Sequence, residues 1–113
     1  MDFKESKTKV NLMRAFAGES QARNRYDMAA ETAKNKKYNI IERLFKYTAS
    51  QEQAHAKVFY DALKSLNGQT ITIDNGSYPV DAYDDILKLL RTSAHNEYEE
   101  HDVVYKEFAD IVT

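Results

Sequence analysis

The chain has 113 residues, a formal net charge of -2 and no cysteine. That length is enough for one domain, since single cores run to roughly 100 to 150 residues, and 42% apolar residues with only three Gly and one Pro describe a folded chain that favours helix. Missing cysteine excludes disulfides, zinc-thiolate sites, iron-sulfur clusters and thiol catalysis. Dispersed basic residues leave no footprint for nucleic acid or a membrane surface, and no apolar run approaches the ~20 residues that span a bilayer.

The first element is predicted over about residues 6–37, where Leu12, Phe16, Ala22, Tyr26, Ala29 and Ala33 recur at spacings of three and four with Lys and Arg between them. The second runs over about residues 39–66 on Ile41, Leu44, Phe45, Ala49, Ala56, Phe59 and Leu63, with Asn67-Gly68 as a left-handed stop. So short a connection permits only an antiparallel hairpin. Residues 67–81 form a different stretch, NGQTITIDNGSYPVD, with two of the three Gly, the only Pro and a short Thr-Ile alternation. A helix the size of the second is about 42 Å long, and ~15 extended residues reach up to about 50 Å, so this linker can cross the whole bundle. The third helix is predicted over about residues 82–112, capped by Asp81 and striped by Tyr83, Ile86, Leu87, Leu90, Ala94, Val104, Tyr105, Phe108 and Ile111. The expected class is all-α, a bundle with a long crossover between its second and third helices.

Charged residues interrupt each stripe. Glu19 falls three after Phe16 and seven before Tyr26; Glu52 falls seven after Phe45, and His55 four before Phe59. Glu97 lies seven after Leu90, and Glu100 four before Val104. A carboxylate buried alone costs several kcal/mol, so four converging on one core with an imidazole need a compensating cation. Oxygen and imidazole donors without sulfur suit non-haem iron, with manganese as the alternative, and one Glu per helix plus Glu-x-x-His is the arrangement of diiron-carboxylate bundles. Taken singly, a Glu on such a stripe is more often a boundary residue or salt-bridge partner, and His55 a satisfied core histidine. Their coincidence on three helices points to a metal. His95, His101, Arg23, Arg25, Glu99 and Asp102 read as surface groups, and Tyr26 and Tyr105 as core aromatics or phenols bonded to a ligand oxygen.

The segments AFAGESQARNRY and ASQEQAHAK closely resemble the first two helices of rubrerythrins, and the stretch from Ala94 through NEYEEHDVVYKEFA is similar to the family's paired-glutamate helix. The resemblance covers nearly the whole chain. It implies a ferritin-like fold with a two-iron centre, in which Glu19, Glu52, Glu97 and Glu100 match the iron carboxylates and His55 the imidazole ligand. Glu100 matches the position that exchanges with His55 as the irons change oxidation state, so Glu52, His55 and Glu100 are the expected catalytic residues. The implied activity is two-electron reduction of hydrogen peroxide to water in oxidative-stress defence. Iron oxidation and storage by a ferritin relative, or a metal-free helical interaction module, are the alternatives.

The family continues past the position of Thr113 into a fourth helix with another Glu and His, and many relatives carry a cysteine-ligated rubredoxin-like domain. The expectation is therefore a separate electron donor and a homo-oligomer or complementing chain that completes the core. Two hairpins paired about a two-fold axis would present Glu19, Glu52 and His55 twice. The amino terminus lacks the basic-then-apolar order of a signal peptide, so cytoplasm is the expected compartment.

Overall fold

The computed structural model describes residues 7–74 and 76–99, the last three by backbone alone. It is all-α among these residues: α1 (Lys7–Asn35), α2 (Asn39–Asp61) and α3 (Ile86–Glu99), with one 3-10 turn, Lys64–Leu66, after α2. No helix among them is long and apolar enough to cross a membrane.

The α1 and α2 stripes form one seam. Leu12, Ala15, Glu19, Ala22, Tyr26, Ala29 and Ala33 are buried at alternating spacings of three and four along α1. Phe45, Ala49, Glu52 and Ala56 do the same on α2, continued by buried Leu63. That alternation is the knobs-into-holes pattern of helices crossing at a shallow angle. The turn between them is tight: Tyr38 N–H donates to the Ala33 carbonyl at 2.9 Å, and Lys37 sits at φ 65°, a left-handed conformation. Two apolar layers result. One joins Leu12 to Leu63 and Leu66 at one end of the hairpin; the other gathers Ala22, Tyr26, Ala29, Ala30, Ala33, Phe45 and Ala49 toward the turn.

The crossover leaves from the first layer and arrives at the second. Ile71 packs with Leu12 and Leu63, and Arg14 on α1 donates to the Asp74 carbonyl at 3.3 Å. Ile86 and Leu89 of α3 then pack with Ala33 and Phe45. The linker has thus travelled the length of the hairpin, and α3 starts at the end where α2 starts. Asn96 on α3 donates to Asp81 Oδ2 at 2.9 Å, so α3 runs back alongside the incoming linker.

Several expectations need correction. The second helix ends at Asp61, and the residues up to Leu66 form the separate 3-10 turn, with Gly68 at φ +87° supplying the left-handed stop. The third helix starts at Ile86, and its cap is Asp85, not Asp81: Asp85 Oδ1 accepts from Leu87 N–H at 2.9 Å and Lys88 N–H at 3.3 Å. Its buried stripe runs through Ile86 and Leu89, leaving Leu87 and Ala94 exposed. Leu44 on α2, expected inside, is also exposed. The apolar residues Ile86, Leu87, Leu89 and Leu90 allow two registers, and only the packing against α1 and α2 chooses between them.

Candidate metal centre

Glu19 and Glu52 occupy the middle of the seam, between the two apolar layers, where each helix would otherwise place an aliphatic knob. Both carboxylates are buried, at 1% and 4% exposure. Small residues flank each one a turn away in either direction: Ala15 and Ala22 beside Glu19, Ala49 and Ala56 beside Glu52. Those alanines leave room for a longer side chain to extend within the seam without overpacking it.

His55 follows Glu52 by three residues, which turns it about 60° around the helix from that carboxylate. It therefore stands at the rim and not inside the seam, with its side chain 49% exposed, yet its Nδ1 lies 3.6 Å from Glu19 Oε2. One donor atom each from Glu19, Glu52 and His55 falls within 4.8 Å of the others. Two ionised carboxylates at that separation repel by at least about 3 kcal/mol at an effective dielectric near 20. Burial adds to the cost, and a bound cation reverses both effects.

The donor chemistry fits a metal of the iron or manganese type. Carboxylate oxygens and one imidazole nitrogen, with no sulfur, favour harder divalent ions, and three protein donors leave coordination positions open. The rim position of His55 gives those positions a route to solvent.

The remaining candidates are placed as follows. Glu97 lies on α3, where only its backbone is described, and Glu100, His101, Asp102 and Tyr105 lie outside the described residues. Tyr26 belongs to the core, its ring stacked on Phe45 at 6.2 Å and the Arg25 guanidinium 5.6 Å from its ring centre. Arg23 pairs with Asp27 at 3.6 Å, and Arg25 donates to Gln21 at 2.6 Å, both within α1. His95 is exposed. Sequence reasoning missed Tyr60. It is 55% exposed, with its ring 4.6 Å from that of half-buried Phe16, one turn before Glu19, so the pair lies at the outer edge of the seam.

A family model described as rubrerythrin matches residues 10–113. The chain is 43% identical over 109 residues to a rubrerythrin of Clostridium perfringens, covering 96% of this chain and 55% of that protein. Rubrerythrin-1 of Clostridium acetobutylicum is 44% identical over 107 residues, covering 94% and 54%. A rubrerythrin of Nitratidesulfovibrio vulgaris is 39% identical over 108 residues, covering 96% and 54%. The chain thus spans about half the length of the curated relatives it matches. No solved structure matches it significantly.

Proposed function

This chain belongs to the rubrerythrin family, and on that premise we propose that it contributes to a two-iron carboxylate centre that reduces hydrogen peroxide to water in oxidative-stress defence. The observation that carries this reading is the convergence of Glu19, Glu52 and His55, two of them buried carboxylates, within 4.8 Å. When bound, two ferrous ions supply the two electrons that hydrogen peroxide needs, together with two protons, to become two waters.

The chain's own residues then have separable tasks. Glu19 and Glu52 bring negative charge to a seam that is otherwise apolar, which favours cations there and holds them between α1 and α2. The buried flanking alanines keep water from the inner side of the carboxylates. His55 supplies a nitrogen at the exposed rim, where a molecule as small as a peroxide enters and where solvent protons reach Glu19 and Glu52 oxygens. Glu97 and Glu100 are carried over from the family motif as further carboxylates, and Glu100 as the group that exchanges with His55. Electrons come from a separate redox protein, of the rubredoxin type or another.

The test is anaerobic ferrous loading followed by rapid mixing with peroxide. One peroxide consumed for every two ferrous ions oxidised, abolished by Glu52→Gln, is the expected result. Oxidation by peroxide no faster than for ferrous ion in buffer would sink the peroxidase reading. Accumulation of many ferric ions per chain on exposure to oxygen would replace it with iron storage.

A further inference from the structure

Asn67 and Gly68 stand where the hairpin ends and the crossover begins, outside the metal centre. Asn67 is exposed, with φ -52° and ψ 137°, and Gly68 has φ +87°. The Gln69 N–H donates to the Leu66 carbonyl at 3.1 Å, so residues 66–69 form a type II turn. Among the described residues, neither the Asn67 side-chain amide nor the Gly68 N–H has a hydrogen-bond partner. Beyond the chain neighbours, nothing lies within 4 Å of where a Cβ on Gly68 would stand, which leaves the Gly68 nitrogen unhindered and the turn open to water.

A carboxamide placed just before an unhindered backbone N–H can react with it. The Gly68 nitrogen gives up its proton and bonds to Asn67 Cγ, the bond from Cγ to the side-chain nitrogen breaks, and ammonia leaves with that proton. The product is a five-membered imide. Water then opens it: attack at the side-chain carbonyl gives Asp, and attack at the backbone carbonyl gives isoaspartate, whose chain runs through Cβ and Cγ and is one atom longer. The balance needs only water. Geometry decides when the ring closes, because the Gly68 nitrogen must first rotate about the Asn67 Cα–C bond until it lies beside Cβ. At ψ 137° it is turned well away. Bringing it round breaks the bond from Gln69 N–H to the Leu66 carbonyl.

The turn is anchored on both sides. Leu66 before it is buried, and Ile71 after it packs in the same apolar layer with Leu12 and Leu63. Further along, Arg14 on α1 ties down the crossover at the Asp74 carbonyl. We infer that Asn67 is a self-modifying site gated by the seating of the crossover. It stays asparagine while Leu66 and Ile71 are docked, and converts to aspartate and isoaspartate in chains whose crossover has come away. The gate is a population effect: the rate follows the fraction of chains that are open, and loss of one hydrogen bond's worth of stability changes that fraction about tenfold. The extra backbone atom of isoaspartate falls between Leu66 and Ile71, two members of one packed layer, so the modified chain no longer seats both. A transient release is thereby recorded covalently.

The full chain is tested by ageing it in mildly alkaline buffer, native and in urea. Tandem mass spectrometry follows position 67 separately from Asn75, the linker's other asparagine before a glycine. Conversion at Asn67 is expected to be at least about 10-fold slower in the native chain than in urea. Arg14→Ala and Ile71→Ala, each loosening one anchor, should fall between the two in native buffer. Equal rates in native buffer and urea, or anchor variants no faster than wild type, would overturn the gate; no conversion at Asn67 under either condition would overturn the site. Asn67→Asp separates the new charge from the longer backbone. It should keep the wild-type urea midpoint, while the purified isoaspartate form unfolds at lower urea. An isoaspartate form as stable as Asn67→Asp would show that the added atom leaves the crossover seated, and would overturn the covalent record.

Discussion

His55 Nδ1 on α2 lies 3.6 Å from Glu19 Oε2 on α1, so a half-exposed imidazole at the rim meets a carboxylate that is almost entirely buried. The contact crosses the hairpin and closes the three-donor group from its solvent side. Replacing the imidazole should therefore disturb metal binding far more than folding. For His55→Ala we expect an unchanged helical circular-dichroism spectrum and a Co(II) or Mn(II) affinity lowered by at least the roughly 10–100-fold that loss of a ligand's supporting partner costs. Calorimetric titration measures it, and equal affinity in the two proteins would remove His55 from the centre.

Glu52→Gln separates the metal's contribution from the hairpin's. In the metal-free chain the substitution replaces one of two neighbouring buried carboxylates by a neutral group of similar shape, recovering about 1–3 kcal/mol of stability from the larger repulsion between the two charges. A rise in metal-free Tm of several degrees is expected, at about 4–8 °C per kcal/mol for a chain of this size. The same protein should show no further rise with Mn(II), whereas the wild type should. A metal-free variant less stable than wild type would mean that Glu52 is held by its protein surroundings and needs no cation.

Asp85→Ala tests the cap of α3. The Asp85 carboxylate accepts from two backbone amides of the first turn, and loss of such a cap costs about 1 kcal/mol. Urea unfolding should show that loss for Asp85→Ala and a smaller one for Asp81→Ala, which removes only the bond from Asn96. Equal losses would mean that the linker's tie to α3 matters as much as the cap.

Why Asp81 looked like the cap shows what the sequence can carry. The seam was legible because Leu12, Tyr26, Phe45 and Leu63 repeat at three and four over many turns, and Glu19 and Glu52 fall on that repeat without ambiguity. Such periodicity says which face is buried. It does not say where a helix begins after an irregular linker, and Ile86, Leu87, Leu89 and Leu90, with Lys88 between them, satisfy two registers equally. Nor does it resolve a 60° step: Glu52 and His55 share a face by their spacing, yet one is buried and the other stands at the rim. The exposure of Leu44 on α2 escaped for the opposite reason. Leu44 reads as core because it is apolar and falls three after Ile41, although its position places it with exposed Ile40, Tyr47 and Val58.

Lys37 is the one residue other than glycine with positive φ among the described residues. A side chain in that conformation costs about 1 kcal/mol, part of which glycine gives back through its greater freedom in the unfolded chain. Lys37→Gly should raise the urea midpoint slightly, by about 0.5 kcal/mol in stability, and Lys37→Val should lower it. A loss with glycine would show that the turn is held by contacts of the lysine stem and not limited by backbone strain.

Glu42 gives a pH dependence whose sign follows from its partner. A hydrogen bond from Lys46, at 2.7 Å between Nζ and Oε2, holds its carboxyl below the usual value against the opposing effect of burial, and the charges of Lys46, Lys34 and Arg43 act the same way as the bond. A group with a lowered folded-state pKa stabilises the fold above the unfolded pKa and loses that contribution as pH falls through the folded one. Its place in the first turn of α2 adds a favourable interaction of the same sign with the helix dipole. The stability gap between wild type and Glu42→Gln should then be constant above about pH 5 and close progressively below the ordinary carboxylate range. Asp61, lowered by its hydrogen bond from Lys57, should behave alike near the other end of α2. Urea midpoints measured from pH 7 to pH 3 decide the matter: a gap that persists undiminished at pH 3 would assign Glu42 a packing role in place of an ionic one.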